Sequence, residues 1–118
     1  MPGQFIHVEI PCTDFEKAKK FYEEVFGWKT NYMPERAYML FETGGGLDGG
    51  FYKSSEHAGR QGVINYIDVE DIEKTLEAIT LHGGATIASK TPVESSGWFA
   101  LFSDPDGNVL GLWKEGTP

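Results

Sequence analysis

Residues 5–27 read FIHVEIPCTDFEKAKKFYEEVFG, and the change of period inside this stretch decides the fold. Over residues 5–12, Ile6, Val8 and Ile10 alternate with Phe5, His7 and Glu9, which predicts a strand with one apolar and one chemically richer face. Thr13-Asp14-Phe15-Glu16 then has the form of a capping box. Phe15, Ala18, Phe21, Tyr22, Val25 and Phe26 recur at helical spacing. Gly27 ends the helix, because glycine reaches left-handed dihedrals at little cost.

Downstream, residues 28–33, 37–43 and 47–53 read as three strands, separated by Pro34-Glu35 and Gly44-Gly45-Gly46. Residues 54–61, SSEHAGRQ, are polar and read as a linker, after which the pattern restarts. A strand is predicted over 63–69. A helix opens near Asp71, carries Ile72, Leu76 and Ile79, and ends at Gly83-Gly84. Strands follow over 85–90, 98–102 and 109–114, with Asp104-Pro105-Asp106-Gly107-Asn108 as a turn. An offset of 57 superimposes Ile10 on Ile67, Asp14 on Asp71, Glu16 on Glu73, Lys17 on Lys74 and Gly27 on Gly84. The order strand, helix, three strands occurs twice, as a duplicated module would give. The reading is α+β, with two tandem βαβββ modules at 4–53 and 62–115 joined by 54–61 in one domain. Each helix covers one sheet face only, so the open faces are expected to form a curved mixed sheet around a cavity.

The chain has 118 residues, 40% of them hydrophobic and 24% charged, which excludes disordered and fibrous classes. Ten basic residues stand against 18 acidic ones, a net charge of −8 that disfavours nucleic acid and anionic membrane as partners. The single cysteine, Cys12, excludes an internal disulfide and a Cys-X-X-Cys metal knuckle and fits a reducing compartment. Residues 1–4, MPGQ, lack a basic stretch leading into an apolar one, so a cytoplasmic location is the expectation. No apolar run approaches the roughly 18 residues that span a bilayer.

His7 seven positions before Asp14, Phe21-Tyr22 and Phe26-Gly27 closing the first helix, and Ser103-Asp104-Pro105-Asp106-Gly107-Asn108 before a last apolar strand resemble the vicinal oxygen chelate superfamily. That group includes glyoxalase I, extradiol dioxygenases, and fosfomycin- and bleomycin-resistance proteins. The resemblance implies the paired-module fold over nearly the whole chain, and a homodimer as the common assembly. It also implies one divalent metal held by side chains on the first and last strands of each module, usually His or Gln, Glu, His and Glu. Carried onto this sequence, those positions are His7, Gly50, Ile64 and Gly111. Only His7 has a side chain that coordinates a metal, and one imidazole is too few. No cofactor is therefore expected, a divalent metal on non-standard ligands being the alternative.

The same resemblance turns Phe5, His7 and Glu9 inward on the first strand, with Ile6, Val8 and Ile10 against the helix. It turns Asp48, Gly50 and Tyr52 inward on the fourth strand, Ile64, Tyr66 and Asp68 on the fifth, and Val109, Gly111 and Trp113 on the eighth. Gly50 and Gly111 would leave room for a flat group between Tyr52, Tyr66 and Trp113. Trp98, beside the mobile-looking stretch 92–97, would cap the mouth, although its strand face is not decided by sequence. His7 has three readings: a structural histidine, a ligand-contacting or acid–base group, or a surviving metal ligand. Glu9, two residues on, orients it or is simply solvated. His57 reads as exposed, His82 as a favourable charge at a helix C-terminus, and Cys12 as a buried small apolar residue.

Three functions follow from these residues. The first is a metal-free module binding a small aromatic or apolar ligand, cationic ones included, through Tyr52, Tyr66, Trp98, Trp113, Gly50 and Gly111. The second is an enzyme of lyase or dioxygenase type, with His7 and Glu9 as an acid–base pair or with a non-standard metal site. The third is an assembly role, in which the domain mainly dimerises or accompanies another protein.

Overall fold

Two α-helices pack on two four-stranded sheets, one of each per module, in the computed structural model, which describes residues 6–59 and 63–118. Phe5, the end of the 54–61 linker and the expected start of the second module at residue 62 lie outside the described residues. The chain divides into two compact units, Met1–Ala58 and Gly59–Pro118.

In the first unit β1 (Val8–Cys12) leads into α1 (Phe15–Phe26), followed by β2 (Lys29–Met33), β3 (Tyr38–Glu42) and β4 (Gly49–Lys53). The sheet order is β1-β4-β3-β2, with β1 parallel to β4 and the other pairs antiparallel. Asp14 caps α1 by accepting from the N–H groups of Glu16 and Lys17, at 2.9 and 3.3 Å. These are two of the helix's orphan donors. Gly27 closes the helix at φ 73°, in the left-handed region.

Ile10 and Cys12 of β1, Met39 and Phe41 of β3, and Phe51 of β4 are buried on the helix side with Ala18, Phe21 and Tyr22 of α1. The centre of this core is aromatic. Trp28 stacks between Tyr22 and Phe41, with ring centroids 4.7 and 4.6 Å away. Phe51 tilts against Tyr22 and Phe41 at 5.2 and 5.0 Å. Truncating a fully buried Phe such as Phe51 costs about 3–5 kcal/mol. Ile6, expected against the helix, is instead exposed, because β1 begins two residues later.

The second unit repeats the plan with β5 (Tyr66–Asp68), α2 (Ile72–Leu81), β6 (Ala85–Val93), β7 (Gly97–Ser103) and β8 (Val109–Glu115), in the order β5-β8-β7-β6. Asp71 caps α2 through the Lys74 N–H at 3.0 Å, as its repeat partner Asp14 caps α1. Ile72 and Ile79 of the helix and Ala100, Phe102, Leu110 and Leu112 of β7 and β8 are buried. The stretch 92–97 forms the tip of the β6–β7 hairpin, where Pro92 pairs with Trp98 and Val93 with Gly97. β6 thus runs past residue 90, with register shifts between Thr86 and Ala88 and between Ala88 and Thr91. The turn before β8 is held by Asp104, which is buried and accepts from Asp106 N, Asn108 N and Asn108 Nδ2, each at 2.9 Å.

Candidate functional site

Alternation along β1, β3 and β4 gives the first sheet a second face, away from α1. The register pairs Glu9 with Gly50, Pro11 with Tyr52, Tyr38 with Tyr52 and Leu40 with Gly50. Glu9, Pro11, Tyr38, Leu40, Gly50 and Tyr52 therefore share this open face, since their neighbours Ile10, Cys12, Met39, Phe41 and Phe51 are buried on the other.

Tyr38 organises the face, and sequence reading missed it. It opens β3 directly after Ala37, whose left-handed backbone at φ 50° ends the 3-10 turn Pro34–Arg36. The Tyr38 ring lies over Gly50, where a β-carbon would meet three of its atoms. Its hydroxyl donates to Glu9 Oε2 at 3.0 Å and lies 2.7 Å from His7 Nε2. Tyr38 thus brings together the two polar residues singled out in the first strand. Desolvation, then the hydrogen bond and negative charge of Glu9, push the Tyr38 phenol up from 10.0 to about 12. It is a neutral donor at physiological pH. His7 and Glu9 are exposed and Tyr38 is half-buried.

Tyr52 stands on the same face, and its hydroxyl meets His57 Nδ1 at 3.0 Å. The exposed His57 ring also lies 3.5 Å from Glu56, and the His57 backbone N–H donates to Ser54 Oγ, so the turn after β4 is tied back to the sheet. His82 caps α2, with Nδ1 2.9 Å from Ala78 O, and is a local helix-terminus residue. Cys12 is buried in the core.

The open face of the second sheet carries Tyr66 and Asp68 of β5, Gly111 and Trp113 of β8, and Phe99 and Leu101 of β7. The Tyr66 ring covers Gly111 much as Tyr38 covers Gly50, but Tyr66 is about half exposed. Trp98 is not part of this group. The β7 register places it with buried Ala100 and Phe102, on the α2 side of the sheet. There Lys90 Nζ lies 4.9 Å from its ring centroid and Gly116 lies beneath the ring. The expectation that Trp98 joins Tyr66 and Trp113 is corrected, because one residue of offset along a strand reverses the face.

Of the four carried-over metal positions, only His7 has a side chain that can coordinate a metal. Tyr38 fills the space over Gly50 and Tyr66 that over Gly111, while Ile64 has no donor atom. Among the described residues, no group of three or more His, Cys, Asp or Glu side chains is placed to hold a metal ion. No described helix is long and apolar enough to cross a membrane.

The family model described as Glyoxalase/Bleomycin resistance protein/Dioxygenase superfamily matches residues 4–112. A glyoxylase-like domain-containing protein of Didymella fabae is 35% identical over 121 residues, which cover 93% of this chain and 92% of the relative. The lactoylglutathione lyase of Haemophilus influenzae is 31% identical over 118 residues, covering 88% and 87%. Among solved structures, a mutant of the fosfomycin resistance protein FosX from Listeria monocytogenes, complexed with Mn(II) and a dihydroxypropylphosphonic acid, aligns with a TM-score of 0.79. It is 18% identical and covers 96% of this chain and 90% of its own, a likeness of fold.

Proposed function

Because the chain belongs to the glyoxalase/bleomycin resistance protein/dioxygenase superfamily, we propose that it uses this fold to bind a small organic ligand without a metal. The site is the open face of the first sheet: His7 and Glu9 supply polar contacts, and Tyr52 and the Gly50 region the flat surface. The observation that carries this reading is the Tyr38 ring seated over Gly50, with its hydroxyl shared between His7 and Glu9. The carboxylate expected of a metal site at that place is replaced by a neutral aromatic group. Tyr66, Gly111 and Trp113 offer aromatic surface of the same kind on the second module, and the functional domain is read as modules 4–53 and 62–115.

Two measurements test the reading. Elemental analysis after incubation with Ni²⁺, Zn²⁺, Mn²⁺ and Fe²⁺ is expected to find well under one metal per chain. A thermal-shift and calorimetric screen of aromatic amines, alcohols and acids is expected to yield a ligand whose binding His7→Ala or Tyr52→Ala weakens. One metal per chain, lost in His7→Ala, would sink the proposal.

The hydrogen-bonded chain from His7 through Tyr38 to Glu9 favours a second reading, an acid–base enzyme in which His7 exchanges a proton with substrate. An activity found for the chain and left unchanged by His7→Ala would end that reading. A homodimer is the proposed assembly.

A further inference from the structure

A tyrosine hydroxyl has one proton to donate. Tyr38 lies within hydrogen-bond distance of both a carboxylate, Glu9 Oε2 at 3.0 Å, and an imidazole nitrogen, His7 Nε2 at 2.7 Å. An ionised carboxylate has no proton to give, so the Tyr38 proton goes to Glu9. The Tyr38 oxygen can then only accept from His7, whose Nε2 must carry a hydrogen. In the neutral imidazole this leaves Nδ1 with its lone pair as an acceptor.

We propose that Tyr38 is the positioning residue that fixes His7 as the Nε2–H tautomer, so that the site selects ligands presenting an N–H donor, specifically protonated amines attached to an apolar or aromatic body. The inference rests on the ligand-binding reading above and names its ligand class. Nδ1 of His7 accepts the N–H. Glu9, two residues on and bound to the same Tyr38 hydroxyl, supplies a carboxylate for the positive charge, and the chain's net charge of −8 adds a field of the same sign. The raised pKa of Tyr38 keeps its proton in place at neutral pH. Tyr52, on the same face, supplies a ring for the apolar part.

Two readouts on the whole chain test this. Nitrogen-15 correlation spectra at about pH 8.5, where an ordinary imidazole is neutral, are expected to show His7 as the Nε2–H tautomer. Tyr38→Phe keeps the ring over Gly50 and removes the hydroxyl, so His7 should become a tautomer mixture. In Glu9→Ala the Tyr38 proton is released to His7 Nε2, and the population should shift toward Nδ1–H. The second readout compares benzylammonium with benzyltrimethylammonium, which share ring and charge but differ in N–H donors. Benzylammonium is expected to bind about tenfold more tightly, the worth of one hydrogen bond to a charged group, and to perturb His7 and Glu9. In Tyr38→Phe, where only part of the His7 population presents an Nδ1 acceptor, the ratio should fall in proportion to that part.

A wild-type His7 in the Nδ1–H form overturns the inference without the need of any variant. Equal affinity for the two ammonium probes overturns it while leaving the broader ligand-binding reading standing. Binding of neither probe also overturns it, and the broader reading is then decided by the screen of uncharged and acidic compounds.

Discussion

Tyr38 lies across the α-carbon of Gly50, and a side chain of any kind at position 50 would collide with its ring. The ring is half-buried and tethered by its hydroxyl to His7 and Glu9, so it does not move aside freely.

Gly50→Ala is therefore expected to destabilise the chain by about 1–3 kcal/mol, as overpacking does. Gly111→Ala meets the ring of the more exposed Tyr66, which can swing into solvent, and should cost less. Urea unfolding of the two variants measures the difference, and equal losses would contradict the tethered role given to Tyr38.

The raised pKa of Tyr38 makes a prediction about alkaline pH. Its folded-state value of about 12 lies above the ordinary 10.0, so the neutral phenol is the form the fold favours. The stability this contributes is fully present below about pH 10 and is lost as pH rises through about 12. Spectrophotometric titration should show a tyrosine component near the upper value that is missing in Tyr38→Phe. That variant's stability should also fall less steeply over the same range.

Asp104 holds its turn through three hydrogen bonds while itself buried. Asp104→Ala withdraws the carboxylate from the buried Asn108 amide and from two backbone N–H groups. The expected loss is about 1–3 kcal/mol, on the scale of stranded buried donors, seen as a lower urea midpoint.

Sedimentation equilibrium over micromolar concentrations is expected to give the mass of two chains. A monomer across that range would defeat the proposed dimer.

The architecture was legible because its signals are local. The shift from period two to helical spacing between Cys12 and Phe15, the caps at Asp14 and Asp71 and the turn at Asp104 each need only a few adjacent residues. The candidate site was half legible. His7 and Glu9 stand two residues apart, a spacing at which alternation predicts a common face. Tyr38 comes from a strand 29 residues beyond Glu9, and its place over Gly50 depends on the register of β3 against β4. No local pattern encodes that register, and nothing in the sequence signals that a glycine is kept open for another residue's ring. Trp98 was undecidable for a related reason. Its face is fixed by where β7 enters its pairing with β8, at Gly97 and Glu115, rather than by composition.

The Tyr38–Gly50 contact also constrains the substitutions open to this sequence. A carboxylate fits at position 50 only if the ring has gone, and removing the ring first would empty half-buried space and break the link between His7 and Glu9. Each single step is unfavourable until the other has been taken. Positions 38 and 50 are therefore locked as a pair, and drift at either one alone is held in check by the other.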